Sequence, residues 1–432
     1  MNEGTWLRAI GAAVITAASV GWAQAQTLVV WDDYTDVGQN AVIEQLNKNF
    51  MAAHPGVTIE RTPRTFDDLS LTLKLAVSAG NGPQVTKVNQ GAGDMGTMVK
   101  EKLLLPIDAY IAQYGWDKRQ SDSVLARDRW SDTGQFGEGP TYGISGLGEM
   151  VGLYYNAKLL ADAGITAPPA SFEEFVKDVQ TLKDKGITPI AMGTAANHLA
   201  LHLMAGIQQA QIDSADRQTL DDVIYGRGGH FNTDAALKAA TQLQEWAKAG
   251  DFTDGFQGIS GADAVQLFVS GQGALLVSGT WYFGDMQQNP DIHFMPLPAP
   301  AGVSKPLSVG GVDLAWAITS NAKDKATQDL AAQYIDYMVS PDAAALWAEA
   351  GFFPSTELAD PSVVKSAILK DGLAMWKQLG ENNALGHYPD WASPTMLKSI
   401  DDNMPYLLSG DMTPQAFVDL LEKDYQSYLA SK

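Results

Sequence analysis

The sequence predicts an α/β fold of two lobes, each a mostly parallel sheet flanked by helices, with a hinge and a ligand cleft between them. Three observations carry this. Past residue 25 the chain opens as strand, helix, strand, helix, strand; a second strand-and-helix series begins beyond a glycine-rich stretch at 134–148; strand-like segments return after residue 290. Strands alternating with helical periodicity make parallel sheets. A chain that leaves one sheet, builds another and returns crosses several times, and such crossings make a hinge that can close a cleft.

The elements follow in order. "AIGAAVITAASVGW" (Ala9 to Trp22) ends in Ala23-Gln24-Ala25, an apolar run and a small-x-small site. Residues 1–25 therefore read as a signal peptide cleaved after Ala25. "TLVVWDDYTD" is a strand turning polar, and "VGQNAVIEQLNKNFMAAHPG" has Val42, Ile43, Leu46 and Phe50 at helical spacing before a Pro-Gly stop. "VTIER", "TFDDLSLTLKLAVSAGNGP" and "QVTKV" complete the strand–helix–strand run. "VGLYYNAKLLADAGI" opens the second series, and Ser171 with Glu174 forms a capping box at the head of "FEEFVKDVQTLKDKGI". "TPIAMG", "IHFMPLP" and "GGVDLAWAIT" read as strands, and "DKATQDLAAQYIDYMVSPDAAALWAEAG" as two helices broken at Pro341. The expected division is 26–148 with 290–338 in lobe 1, and 149–289 with 339–432 in lobe 2.

Composition narrows the function. The 432 residues are 45% hydrophobic and 18% charged, ample for large cores. Cysteine is absent, so an exported chain must hold itself together by its core, and no lipid-bearing cysteine follows the leader. The expected compartment is the periplasm, with no membrane insertion. The formal charge of −21 excludes nucleic-acid binding. There is no G-x-S-x-G and no H-E-x-x-H, and the glycine-rich "GISGLGEM" and "GAGDMG" are read as neither a dinucleotide-binding turn between strand and helix nor a P-loop. His198 and His202 stand four apart, but helix packing explains that spacing better than a metal. No metal or cofactor is expected.

Ligands of such sheets bind past the carboxyl ends of strands. Those ends are Asp32-Asp33-Tyr34, Asn89-Gln90 and Gly279-Thr280-Trp281. Asp, Asn and Trp together suit a sugar, whose C–H face needs a flat aromatic ring and whose hydroxyls need charged or amide partners.

Several segments then add up to a family. "FMAAHPGVTIE", "LAVSAGNGPQV", "LLLPID", "GLYYNAKLLADAGI", "SFEEFVKDVQTLKDKGITPIA", "GQGALLVSGTWYFGDM", "GGVDLAWAI" and "YIDYMVSPDAAALWAEAGFFPSTE" occur in that order. Together they resemble the extracellular solute-binding proteins of ATP-driven sugar importers, the group that includes maltodextrin-binding protein, over essentially the whole chain past the leader. The resemblance implies the periplasmic-binding-protein fold, no catalysis, a monomer, and delivery of a saccharide to the transmembrane permease of an ABC transporter.

It also implies site residues. Trp281 is the expected stacking platform, with Gly279 letting a ligand approach the backbone and Tyr282 and Phe283 in the core. Glu149 stands seven residues before the Asn of "EMVGLYYN", at the spacing of a ligand-contacting acid. From the first loop Asp33 is favoured, with Asp32 turned elsewhere or capping the next helix and Tyr34 and Asp36 as further candidates. Asn89 and Gln90 match them on the third strand. Asp313, beside Gly310-Gly311, interrupts an apolar strand and must find donors; Gly311 is included with it. Phe353 is expected at the cleft rim, His387, Tyr388 and Trp391 in the C-terminal part, with Trp391 as a second stacking residue. Arg64, Phe66, Asn197 and His198 are weaker candidates.

Two rivals remain. A polyamine binder would use the acids, with Trp281 and Trp391 as a cation–π cage. A glycoside hydrolase would need two carboxyls flanking one bond, and no hydrolase signature accompanies Asp33 and Glu149.

Overall fold

The computed structural model describes residues 26–195 and 198–432, so the expected leader and Asn197 lie outside the described residues. The chain begins β1 (Gln26–Asp32), α1 (Val37–Ala53), β2 (Val57–Pro63), α2 (Phe66–Ser78) and β3 (Val85–Val88). Apolar spacing explains α1, which buries Val42, Ile43, Leu46 and Phe50 on one face. A cap explains the start of α2: Thr65 accepts a hydrogen bond from Asp68 N at 3.2 Å. A hairpin, β4 (Arg129–Trp130) and β5 (Phe136–Thr141), leads to the long β6 (Gly148–Asn156). The remaining strands are β7 (Leu275–Gly279), β8 (Ile292–Met295), β9 (Gly310–Val312) and β10 (Ala315–Ile318).

These strands form two main sheets, β10-β3-β1-β2 and β7-β6-β8, with β9 also on β6. The mostly parallel expectation describes the first sheet, where β1, β2 and β3 are parallel and β10 runs against them. In the second, β6 is antiparallel to β7, β8 and β9. The reason is that β6 is itself a crossing strand. Its first residues pair with β9 near the first sheet and its last ones with β8.

Strand pairing moves the expected crossings. Ile292–Met295 pairs with Leu153–Asn156, so this segment belongs to the second sheet and the return comes at Gly310–Ala315, later than residue 290. The helix Pro341–Glu349 places Trp347 in the core of Ile43, Phe50 and Tyr334, so the last crossing also comes later than 339. It falls at Phe353-Pro354, which runs beside Leu147-Gly148. "GGVDLAWAIT" is two strands, not one, broken at Asp313-Leu314. "TPIAMG" makes isolated bridges through Ile190 to Phe252 and Leu275 instead of a strand.

The capping box at Ser171 is half as expected. Ser171 accepts from Glu174 N at 3.2 Å, but the Glu174 carboxylate takes Ala170 N, at 2.8 Å. No helix among the described residues is long and apolar enough to cross a membrane.

Candidate functional site

A cavity of about 550 Å³ lies where the ends of β1 and β3 face the start of β6 and the turn after β7. Its size falls within the usual range for small-molecule sites. It is acidic: Asp33, Asp36, Asp67, Asp68, Glu149, Asp313 and Asp390 border it, and no lysine or arginine does among the described residues.

The floor is a charge cluster at the hinge. Lys87, on β3 and fully buried, places its ammonium between Asp33 Oδ1, at 2.7 Å, and Asp313 Oδ2. The Tyr34 ring covers that ammonium, 3.6 Å from ring centre, and the Tyr34 hydroxyl donates to Asp313 Oδ2 at 2.6 Å. Burial alone would lower the Lys87 pKa, but the charges of Asp313 and Asp33 leave it above the ordinary lysine value. Gln90 fixes the hinge strand by donating to the Asp313 carbonyl at 3.1 Å. Glu149 is half-buried beside Asp313, with the Tyr388 hydroxyl 3.4 Å from its Oε2.

The two adjacent acids after β1 part company. Asp33 reaches the cavity, whereas Asp32 is fully buried and pairs with Arg61 through Nε at 2.6 Å and Nη2 at 2.7 Å. Asp36 stands at the rim as the N-cap of α1, but its side chain makes no cap bond.

One wall ties the lobes together. Trp391 Nε1 donates to Asn89 Oδ1 at 3.0 Å, and Asn89 Nδ2 donates to Asp390 Oδ2 at 3.1 Å. At the mouth, His198 precedes the helix Leu199–Ala210 and lies between Asp67 of α2 and Asp401, at 3.7 and 3.2 Å. Burial opposes a charged ring there, but Asp401 and Asp67 outweigh it and lift the His198 pKa to about 10. Four residues on, burial pushes His202 down to about 3, so it is neutral. The two histidines thus serve different surroundings, and no metal-binding group of three or more such side chains forms among the described residues.

Trp281 forms the opposite side. Its half-buried indole borders the cavity, in the short helical turn Thr280–Tyr282, with its ring 5.1 Å from that of His202. Phe283 is buried in the core against Tyr154 and Phe294, and Tyr282, also buried, touches the cavity. Gly279 has another role than the expected ligand approach. It is buried in β7, and a Cβ there would lie 1.8 Å from the Trp281 ring. The glycine is the seat of the indole. Gly279→Ala should therefore displace Trp281 and weaken ligand binding by roughly tenfold or more, read by isothermal titration. Unchanged affinity would show that the ring has another resting place.

Other expected residues do not border the cavity. Phe353 is buried against Gly148 and Trp376, at a crossing segment. His387 is buried and its Nε2 lies 2.8 Å from Asp221; burial and the Arg127 charge lower its pKa to about 4. Gly311 makes room for Arg127, whose Nη1 lies 2.4 Å from where a Cβ would stand. Arg64 stacks on Trp31, 3.8 Å from ring centre. Tyr34 is buried, and its hydroxyl is engaged by Asp313. In each case an apolar or charged neighbour within the fold already uses the group. Phe66 and Tyr388 do border the cavity.

Sequence reasoning missed Lys87, Asp67 and Asp390. Lys87 carried a signal: a lysine inside a short apolar strand must find buried carboxylates.

A family profile described as bacterial extracellular solute-binding protein matches residues 31–345. The chain is 22% identical to a putative binding protein of Brucella abortus over 72% of each chain. It is 23% identical to the sn-glycerol-3-phosphate-binding periplasmic protein of Escherichia coli K12, over 79% of this chain and 77% of the relative. Among solved structures, a chitin oligosaccharide binding protein superposes with TM-score 0.82 at 21% identity, covering 94% of this chain and 99% of the other. The maltose/maltodextrin-binding domain from Bdellovibrio bacteriovorus bound to maltotriose gives 0.71 at 18%, covering 94% and 100%. These superpositions show that the chain shares its fold with those structures. With a profile match over most of its length, the chain belongs to the bacterial extracellular solute-binding proteins.

Proposed function

We propose that the protein is the periplasmic binding component of an ABC importer, taking a neutral saccharide into the cavity and delivering it to a membrane permease without chemical change. The observation that carries this is one flat indole, Trp281, facing a lining rich in hydrogen-bond acceptors. Asn89, Gln90 and the Trp391 indole already spend donors on protein partners. A ligand that brings its own donors, as a polyol does, satisfies such a lining. The solved neighbours whose descriptions name chitin oligosaccharide and maltotriose support it.

The glycerol-phosphate relative favours a second reading. A phosphate ester brings acceptors and negative charge, and needs Arg or Lys donors. The one lysine nearby is sealed behind Asp33 and Asp313, and the charged His198 at the mouth is held between Asp67 and Asp401. That argues against the anion. A polyamine would meet the acids, but Trp391 is almost fully buried and tied to Asn89, which leaves Trp281 as half of the expected cation–π cage.

A thermal-shift panel of maltotriose, chitotriose, xylotriose, glycerol 3-phosphate and spermidine separates the three, because a ligand bound by the folded state raises the melting temperature. A shift with a saccharide alone is expected. A shift with glycerol 3-phosphate or spermidine alone sinks the saccharide reading, and so does cleavage of the sugar on long incubation.

A further inference from the structure

We propose that Lys87 is a positioning residue for ligand binding: its buried ammonium holds the Asp33 carboxylate with one oxygen turned inward and the other presented to the cavity. The inference rests on the proposed function for Asp33 as a ligand contact and for the choice of probe. The geometry of the three charged groups does not depend on it.

Asp33 has little else to hold it. Its Oδ1 is sealed from solvent and lies 2.7 Å from Lys87 Nζ. Among the described residues no other ion pair or hydrogen bond reaches its side chain. That side chain is 17% exposed and borders the cavity, so Oδ2 is the oxygen left for a ligand. The neighbouring backbone is already fixed. Asp32 takes Arg61 Nε and Nη2, and its Oδ1 also accepts from Tyr34 N–H at 3.0 Å. What is left to set is the rotation of the Asp33 carboxylate about its own side-chain bonds, and Lys87 sets it.

Lys87 can do this because its own place is fixed from the other side. Its ammonium meets Asp313 Oδ2. Asp313 is in turn held by the Tyr34 hydroxyl on Oδ2, at 2.6 Å, and by Leu314 N–H on Oδ1, at 2.7 Å. Asp313 stands between β9 and β10, where the chain crosses back to the first sheet, so the ammonium is anchored to the hinge. The Tyr34 ring covers a further side of it, 3.6 Å from ring centre. Lys87 is fully buried and cannot touch a ligand itself. Its influence on binding must pass through a neighbour. Asp313 has both oxygens engaged; Asp33 has one to offer.

A carboxylate at a strand end with no partner samples several rotamers, and a ligand would have to order it on binding. With Lys87 in place that ordering precedes the ligand, and a charged acceptor meets a hydroxyl in a set direction.

Two variants test this. Lys87→Met removes the ammonium but leaves two carboxylates without their cation. Lys87→Met combined with Asp313→Asn keeps the net charge of the cluster at −1, because one cation and one carboxylate go together. It carries the test if the single variant does not fold. Without ligand, crystal structures should show the Asp33 carboxylate rotated from its wild-type position in either variant, and unmoved in Asp313→Asn alone. With the saccharide that gives the largest shift among maltotriose, chitotriose and xylotriose, the combined variant should bind at least about tenfold more weakly than Asp313→Asn, the loss expected with a charged hydrogen bond. With Asp33→Asn also present, Lys87→Met should cost less than about threefold, because the carboxylate it positions is gone. A lysine that only stabilises the fold would lower urea midpoints and leave the Asp33 rotamer and the affinity as they were. An unmoved Asp33 carboxylate, or equal affinity losses with and without it, overturns the proposal. If no saccharide binds, the saccharide reading fails on its own, and the ligand-free structures still decide whether Lys87 positions Asp33.

Discussion

Trp281→Ala should weaken saccharide binding by about 2 kcal/mol or more, roughly thirtyfold in Kd, while costing the empty protein little stability. The ring is half-buried and borders the cavity, so truncation removes a surface that faces the ligand more than one that fills the core. A fully buried tryptophan would cost about 3–5 kcal/mol of stability on the same change. The distinction is measurable. Isothermal titration reads the first quantity and urea unfolding without ligand the second. Trp281→Phe should fall between, keeping a smaller flat face on the Gly279 seat. Equal affinity in Trp281→Ala would place the indole in the lobe's own packing.

The neighbours of Trp281 explain why one side chain carries so much. His202, beneath it, is held neutral by burial, so the ring rests on an uncharged partner. β7 ends at Gly279, whose missing Cβ leaves the space in which the indole lies. Ring position is thus set by packing before a ligand arrives, and little ordering cost remains for binding.

Where the sequence was legible, and where it was not, follows from the range of the interactions. Local rules located α1 by its apolar face and α2 by the Thr65 cap, and strand ends pointed to Asp33, Asn89 and Trp281 at the cavity. Long-range pairings were not visible. Residues 292–295 read as a strand in any sheet, and pairing to β6, which is far away in sequence, assigns them to the second. The same holds for Gly279, whose glycine is explained by a ring two residues on that folds back over it, not by its own backbone angle of φ −91°. The family resemblance puts Phe353 at the cleft rim and offers His387 as a ligand contact. Their burial depends on Trp376 and Asp221, which no local pattern connects to them. Polar residues at strand ends were therefore readable as the lining of a cavity, but which of them the fold itself consumes was not.

Asp32 and Asp33 turn that lesson into the second large effect. They are adjacent carboxylates at the end of one strand, so composition, charge and local position are matched, and only their partners differ. Asp32→Ala should cost about 3 kcal/mol of stability, the lower part of the range for breaking a buried ion pair. Arg61, whose side chain is 5% exposed, would lose two hydrogen bonds and keep Glu44 and Asn40, at 2.8 and 2.6 Å. Burial outweighs Arg61 at Asp32, whose carboxyl lies above its ordinary range, while Arg61 is itself raised by Asp32. The pair's importance is thus the cost of stripping a buried guanidinium of its two-point carboxylate partner, which Glu44 and Asn40 replace only in part, not a surplus of attraction. Asp33→Asn should act the other way round. Its amide oxygen still accepts from Lys87, so stability should change little, but a charged hydrogen bond to a ligand hydroxyl is lost, worth about 1.5–3 kcal/mol, or some tenfold to a hundredfold in affinity. Urea midpoints and titrations on both variants form a two-by-two comparison. If Asp33→Asn loses stability and keeps affinity, Asp33 belongs with Asp32 in the fold, and the Lys87 cluster is structural scaffolding and not the floor of a binding site.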